Sequence, residues 1–314
     1  MLWGTILFIK SPFSNPERND KVKNKISINS PYILMMVPLL AIYLVFYIIP
    51  LLYTAIYSFT DWSNYSSVTS FTGLNNYQKI FSDYTLFIGI KNSLIYAVVN
   101  VLMQNVIALP VAVILNSKLR FRNGFRALFF SPAVLSTLVV GFLWSYILTS
   151  SDYGLLNKMI GVFGIEPVNW LGNPKTALAA IILTQVWQWF GWAMVIYLAN
   201  LQSISEDLYE ASMIDGCSRW KQFLYITIPQ LAPAIKINLV TGMISGLKVF
   251  DIVVSLTKGG PGYSTETILT LMFSKFSEGN YGYAASFGIV FLIVSILLAG
   301  VLLRLFKVWE DRLN

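Results

Sequence analysis

Long apolar runs alternate with short polar ones along the whole chain. Six of the runs, at about 32–59, 94–116, 125–149, 177–201, 231–256 and 284–306, reach the roughly 20 residues that a helix needs to cross a bilayer. The pattern predicts an all-α integral membrane protein with six transmembrane helices. Pro38, Pro50, Pro110 and Pro132 lie within or at the ends of these runs, so kinks are expected there. Among the 22 Lys and Arg, the connections of one side hold only Lys79, Lys91, Lys158, Lys175, Lys258 and Lys275. Cytoplasmic loops carry the basic excess, which places both termini on the cytoplasmic side.

The polar stretches differ in kind. Residues 1–10, MLWGTILFIK, are apolar but follow no positive segment, and 11–30 are polar and lysine-rich. Together they read as a cytoplasmic N-terminal tail, 1–30, rather than a signal peptide. The remainder, 31–314, reads as one transmembrane domain. Outside connections at 61–83, rich in Ser, Thr, Asn and Tyr, and at 152–175, rich in Gly and Pro, suit a surface that docks a partner.

Composition agrees with lipid as the main solvent: 56% of the 314 residues are hydrophobic and 12% charged, against about a quarter charged in soluble domains. The net charge of +7 follows from topology rather than from nucleic-acid binding. Cys217 is the one cysteine and histidine is absent. Intrachain disulfides, cysteine metal clusters, Ser/His or Cys/His nucleophiles and zinc HExxH sites are thereby excluded. The chain is expected not to be an enzyme and to hold no metal.

The longest inside connection, 202–230, is unlike a simple linker. Ser203 with Glu206 fits a capping box, and Glu206 and Asp207 suit a helix N-terminus. Ile204, Leu208 and Ala211 with Ser212 would form its packed face. Asp215-Gly216 should end that helix, and a second short helix should run from Ser218 to about Tyr225, ahead of Pro229. Glu210-Ala211-Ser212, Asp215-Gly216, Phe223, Ile226 and Ile228-Pro229 resemble the EAA loop of ABC importer permeases. The resemblance implies a coupling element that docks on a cytoplasmic ATPase through Glu210, Ala211, Ser212, Asp215, Gly216, Arg219, Phe223 and Pro229. Ser212 and Cys217 stand where alanine is commoner, and Ser205 where proline is usual.

A second signature, LTKGGPGYSTETI at 256–268, with Gly73 to Tyr77 and Gly282 to Ser286, is similar to the oligosaccharide branch of these permeases and to its maltose-type first subunit. That implies a homologous second permease subunit, a cytoplasmic ABC ATPase dimer that uses ATP and Mg, an extracytoplasmic solute-binding protein and a sugar substrate. This chain would bind no cofactor, consistent with the lack of a GxxxxGK[ST] phosphate loop. The fourth apolar run carries Gln185, Trp187, Gln188, Trp189, Trp192 and Tyr197, either a sugar-facing set or an interfacial aromatic belt. By the resemblance, Gln188, Trp189, Trp192, Gly242, Ser245, Gly246 and Val249 match sugar-lining positions. Lys248 and Asp251, three residues apart in the fifth run, form a candidate intramembrane ion pair. The alternatives are a permease for another solute such as glycerol phosphate, polyamine or amino acid, an ion-coupled carrier, and an intramembrane glycan or lipid transferase. The last is disfavoured because the outside acids are scattered.

Overall fold

A computed structural model describes residues 31–117, 119–151 and 153–313; the expected tail, 1–30, lies outside the described residues. The chain divides into two units, Met1–Tyr53 and Thr54–Asn314. Within the first, α1 (Pro31–Tyr43) passes through a wide π turn (Leu44–Ile48) into α2 (Ile49–Tyr57), which runs on into the second unit. The π turn immediately precedes Ile49-Pro50. Proline brings no N–H and its ring crowds the carbonyl four residues back, and a widened turn relieves both. The same device recurs later, where a π turn at Phe223–Thr227 precedes Ile228-Pro229.

In the second unit, α3 (Asn75–Ser82) leads to α4 (Tyr84–Asn116), a 33-residue helix that begins ten residues earlier than its apolar run. Asp83 makes that early start: its carboxylate accepts from the Thr85 N–H at 2.9 Å and caps the helix. The third run is two helices rather than one. Helices α5 (Arg122–Phe130) and α6 (Thr137–Ile147) flank a 3₁₀ turn at Ser131–Val134, and the pair bends by 100°. Pro132 sits in that turn and Ser136 caps α6, so the chain is stopped and restarted within six residues. Then follow α7 (Leu155–Gly161) and α8 (Ala177–Leu201), whose bounds match the fourth run.

The connection 202–230 forms α9 (Glu206–Ile214), α10 (Arg219–Gln222), the second π turn and α11 (Ile228–Gln230). The fifth run, expected as one helix over 231–256, is broken. Helix α12 (Ala232–Leu247) stops, Lys248 to Phe250 are non-helical, and α13 (Asp251–Leu256) begins anew. Two elements complete the unit, α14 (Ile268–Ser277), a ten-residue apolar helix absent from the six-run reading, and α15 (Tyr281–Leu313). Among the described residues four helices are long and apolar enough to cross a membrane, or up to six if each bent pair is one span.

Helix α4 packs along α8 and α12, and α13 against α6. Small residues permit this: Ala108 and Ala112 of α4 meet Ala193 and Met194 of α8 and Ala234 of α12 in one buried cluster. In lipid, helices associate by close packing rather than by burial from water, so small side chains are the usual means. Gly246 shows the limit of the approach, since a Cβ there would stand 2.7 Å from the Ala97 Cα.

Candidate functional site

A cavity of about 420 Å³ lies among α4, α8, α12 and the break before α13. Trp189 and Trp192 of α8 line it, as do Gly242, Ser245 and Gly246 of α12 and Val249 in the break. Six of the seven sugar-lining positions inferred from the sequence thus converge. Gln188 is the correction. It is fully buried and absent from the lining, its Nε2 donating to the Leu135 carbonyl at 3.0 Å and its Oε1 accepting from Gln185 Nε2 at 2.8 Å. It braces the α5–α6 bend because it stands at the edge of the α8 face that Gln185, Trp189 and Trp192 share at spacings of four and three.

The other polar and aromatic residues of α8 divide likewise. Trp187 meets Trp144 edge-on at 5.6 Å within the core, and the buried Tyr197 hydroxyl donates to Asn105 Oδ1. Trp192 is half exposed and stacks on Phe130 with centroids 6.0 Å apart.

Lys248 and Asp251 both line the cavity and are exposed to it. The expectation that they share one helix face is corrected: Lys248 caps the end of α12 and Asp251 opens α13. Among the described residues neither side chain has a hydrogen bond or ion pair. A cation at a helix C-terminus and an anion at an N-terminus are each favoured by the exposed backbone dipoles, so each charge stands at the helix end that suits its sign.

Sequence reasoning passed over α4. Tyr96, Asn100 and Gln104 line the cavity, with Asn238 and Thr241 of α12. The signal was present: Asn92, Tyr96, Asn100 and Gln104 recur every four residues in an apolar run, one stripe of a helix.

The 202–230 connection is also built differently from expectation. Ser205, not Ser203, caps α9, accepting from the Asp207 N–H at 3.3 Å, while the Ser203 hydroxyl donates to the Asn200 carbonyl. At the other end, Gly216 has φ +74°, the Cys217 N–H donates to Ser212 O at 2.9 Å and the Gly216 N–H to Met213 O at 3.1 Å, a Schellman cap. The inward face is polar rather than Leu208 and Ala211, both of which are exposed. Gln222 Nε2 donates to Ser212 Oγ at 2.9 Å, and the Tyr209 and Thr227 hydroxyls lie 3.0 Å apart. These contacts clamp α9 to the second π turn, and they leave Met213, Ile214, Trp220 and Tyr225 outside with more than half of their surface exposed. Glu210, Asp215 and Arg219 are exposed beside them; Phe223 is half-buried under Trp220, ring centroids 5.7 Å apart, and Pro229 is the second residue of α11.

The Gly-rich segment 256–268 is tied down from α4. Asn92 Nδ2 donates to the Ser264 carbonyl at 3.0 Å and the Glu266 carbonyl at 2.9 Å, and Ser93 Oγ accepts from the Ile268 N–H at 3.1 Å. Gly259 has φ +86°, and a Cβ there would strike the Glu266 carboxylate. Burial raises the Glu266 pKa, a hydroxyl bond from Thr270 working against that shift.

A multi-spanning helical fold with a cavity at a broken helix defines the class as a membrane permease. Residues 104–310 match the model of the binding-protein-dependent transport system inner membrane component family, and the chain belongs to that family. It is a permease subunit of a binding-protein-dependent ABC importer, a multi-pass protein of a prokaryotic inner membrane. It is 34% identical over 278 residues to the trehalose/maltose transport system permease protein MalF of Thermococcus litoralis, covering 88% of this chain and 94% of that protein. It is 32% identical over 279 residues to the arabinooligosaccharides transport system permease protein AraP of Bacillus subtilis, covering 88% of each. Against the lactose transport system permease protein LacF of Rhizobium radiobacter it is 33% identical over 273 residues, covering 84% and 90%. The same fold occurs in a crystal structure of a bacterial alginate ABC transporter in complex with an alginate pentasaccharide-bound periplasmic protein, with TM-score 0.76, 23% identity and coverage of 90% and 96%.

Proposed function

We propose that this permease carries an oligosaccharide through the cavity at the α12–α13 break. The observation that carries the reading is the convergence of Trp189 and Trp192 with Gln185 and Asn238 on one cavity of about 420 Å³. Aromatic faces suit the C–H surfaces of a sugar ring and carboxamides its hydroxyls. The trehalose/maltose, arabinooligosaccharide and lactose systems of its relatives support the same solute class.

In this reading the chain crosses the membrane six times, each bent pair counting as one span, with both termini cytoplasmic and 1–30 as a tail. Residues 31–314 form the transmembrane domain. The connection 202–230 is the coupling loop: exposed Met213, Ile214, Trp220 and Tyr225 supply an apolar docking surface, rimmed by Glu210, Asp215 and Arg219. Ala211, Ser212, Gly216, Phe223 and Pro229 give the loop its shape. A homologous second permease subunit, an ATPase dimer and an extracytoplasmic solute-binding protein complete the machine. ATP and Mg are used by the ATPase, whose closure pulls the coupling loops and exposes the cavity to the outside by alternating access.

The test is uptake by the reconstituted complex. Trp189→Ala and Trp192→Ala should each reduce uptake at least about tenfold, as expected for lost stacking and burial, while the complex still assembles. Wild-type uptake in both variants would move the path elsewhere.

A further inference from the structure

Helix α4 brings three polar side chains to the cavity that nothing in the sequence motifs singles out. Tyr96, Asn100 and Gln104 are 2%, 6% and 8% exposed, and what they expose faces the cavity. Buried carboxamides ordinarily have their hydrogen bonds filled, because an empty one costs the desolvation of the group. Here they are half filled. Gln104 Nε2 donates to Asn100 Oδ1 at 3.3 Å, and among the described residues Asn100 Nδ2 and Gln104 Oε1 have no partner.

The linked pair therefore presents an unpartnered NH2 group and an unpartnered C=O acceptor, a helical turn apart, to a space large enough for a solute. An amide donor beside an amide acceptor matches neighbouring hydroxyls, each of which both gives and takes a hydrogen bond. The position is held by packing: Val101 and Ala97 of α4 lie against Gly242 and Gly246 of α12, which fixes the rotation of α4 about its axis. The glycines inferred to line a sugar path thus also set which α4 residues reach it.

We propose that Asn100 and Gln104 determine selectivity, binding two adjacent hydroxyls of a sugar ring in the transport cavity. The inference rests on the saccharide reading above but makes a separate claim about α4. The complex is reconstituted in proteoliposomes with its partner subunits and binding protein and offered radiolabelled maltose, trehalose, lactose, maltotriose and arabinotriose. Each sugar carried is then compared with its 2-deoxy and 3-deoxy forms. The binding protein is the same throughout, so any change in the ratio of parent to deoxy uptake belongs to the permease.

In Asn100→Ala and Gln104→Ala, uptake of the parent sugar should fall on the order of 100-fold, and the preference over one deoxy form should collapse toward unity, because a site built to pair a hydroxyl loses its discrimination with its partner. Ratios within twofold of wild type in both variants overturn the proposal. If the alanine variants do not assemble, Asn100→Cys in a Cys217→Ser background supplies the second reading. The carried sugar should slow its modification by a methanethiosulfonate reagent at least tenfold, and no protection overturns the proposal. Normal sugar uptake in Trp189→Ala and Trp192→Ala moves the path out of this cavity and removes this inference with it, whereas a wild-type complex that carries none of the five sugars removes the saccharide reading and the inference together. Impaired tryptophan variants beside unchanged α4 ratios remove only this inference.

Discussion

At the scale of single residues, glycine decides how near two helices come. Gly246 faces the backbone of Ala97, whereas nothing lies within 4 Å of a Cβ placed on Gly300 in α15. Gly246→Ala should lower stability by about 1–3 kcal/mol, the usual cost of overpacking, and Gly300→Ala should not lower it. Thermal unfolding of the two variants in detergent makes the comparison. Glu266 offers a pH test. Its pKa is raised by burial, so the folded state holds the proton more tightly than the unfolded chain. Its contribution is full below the ordinary carboxylate range and is lost as pH rises through the folded pKa. Glu266→Gln keeps an oxygen for the Thr270 hydroxyl and should flatten the fall in melting temperature as pH rises above the ordinary carboxylate range. An unchanged slope would assign the pH dependence to other groups.

At the scale of elements, caps and prolines decide where helices stop. The end of α9 was readable because Gly216 is the residue that accepts φ +74° without a Cβ penalty. Its start was not, since Ser203 and Ser205 both precede the acidic turn and only the path of the backbone chose Ser205. Gly216→Pro is barred from positive φ and should dismantle the α9 cap. The variant should insert in the membrane yet lose uptake and substrate-stimulated ATP hydrolysis, both measured in proteoliposomes. Normal stimulated hydrolysis would refute the coupling role of this loop. The 100° bend between α5 and α6 was half legible: Pro132 announced a kink, but not one that turns a span into two helices. The buried bond from Gln188 Nε2 to the Leu135 carbonyl supplies the missing partner for backbone left free at the bend, a requirement that arises only once the chain is folded.

At the scale of the molecule, topology and the pathway are separate questions. Basic residues predict both termini inside by a composition rule that needs no structure. A reporter fused after Asn314 that fluoresces only in the cytoplasm should be bright, while an alkaline phosphatase fused there should be inactive. The reverse result would invert the membrane orientation and put 202–230 out of reach of a cytoplasmic ATPase.

Sequence by itself determined the apolar helices, the polar surface helices of 202–230 and the family resemblance. Each depends on hydropathy, caps or residue order within a few turns of chain. Tertiary structure alone decided that Asn100, Trp189 and Lys248, far apart in sequence, meet at one cavity, that Gln188 turns away from it, and that Lys248 and Asp251 stand on either side of a helix break. Those outcomes depend on how closely α4, α8 and α12 approach and how each is rotated. Contacts between helices remote in sequence set both, and no local pattern contains them.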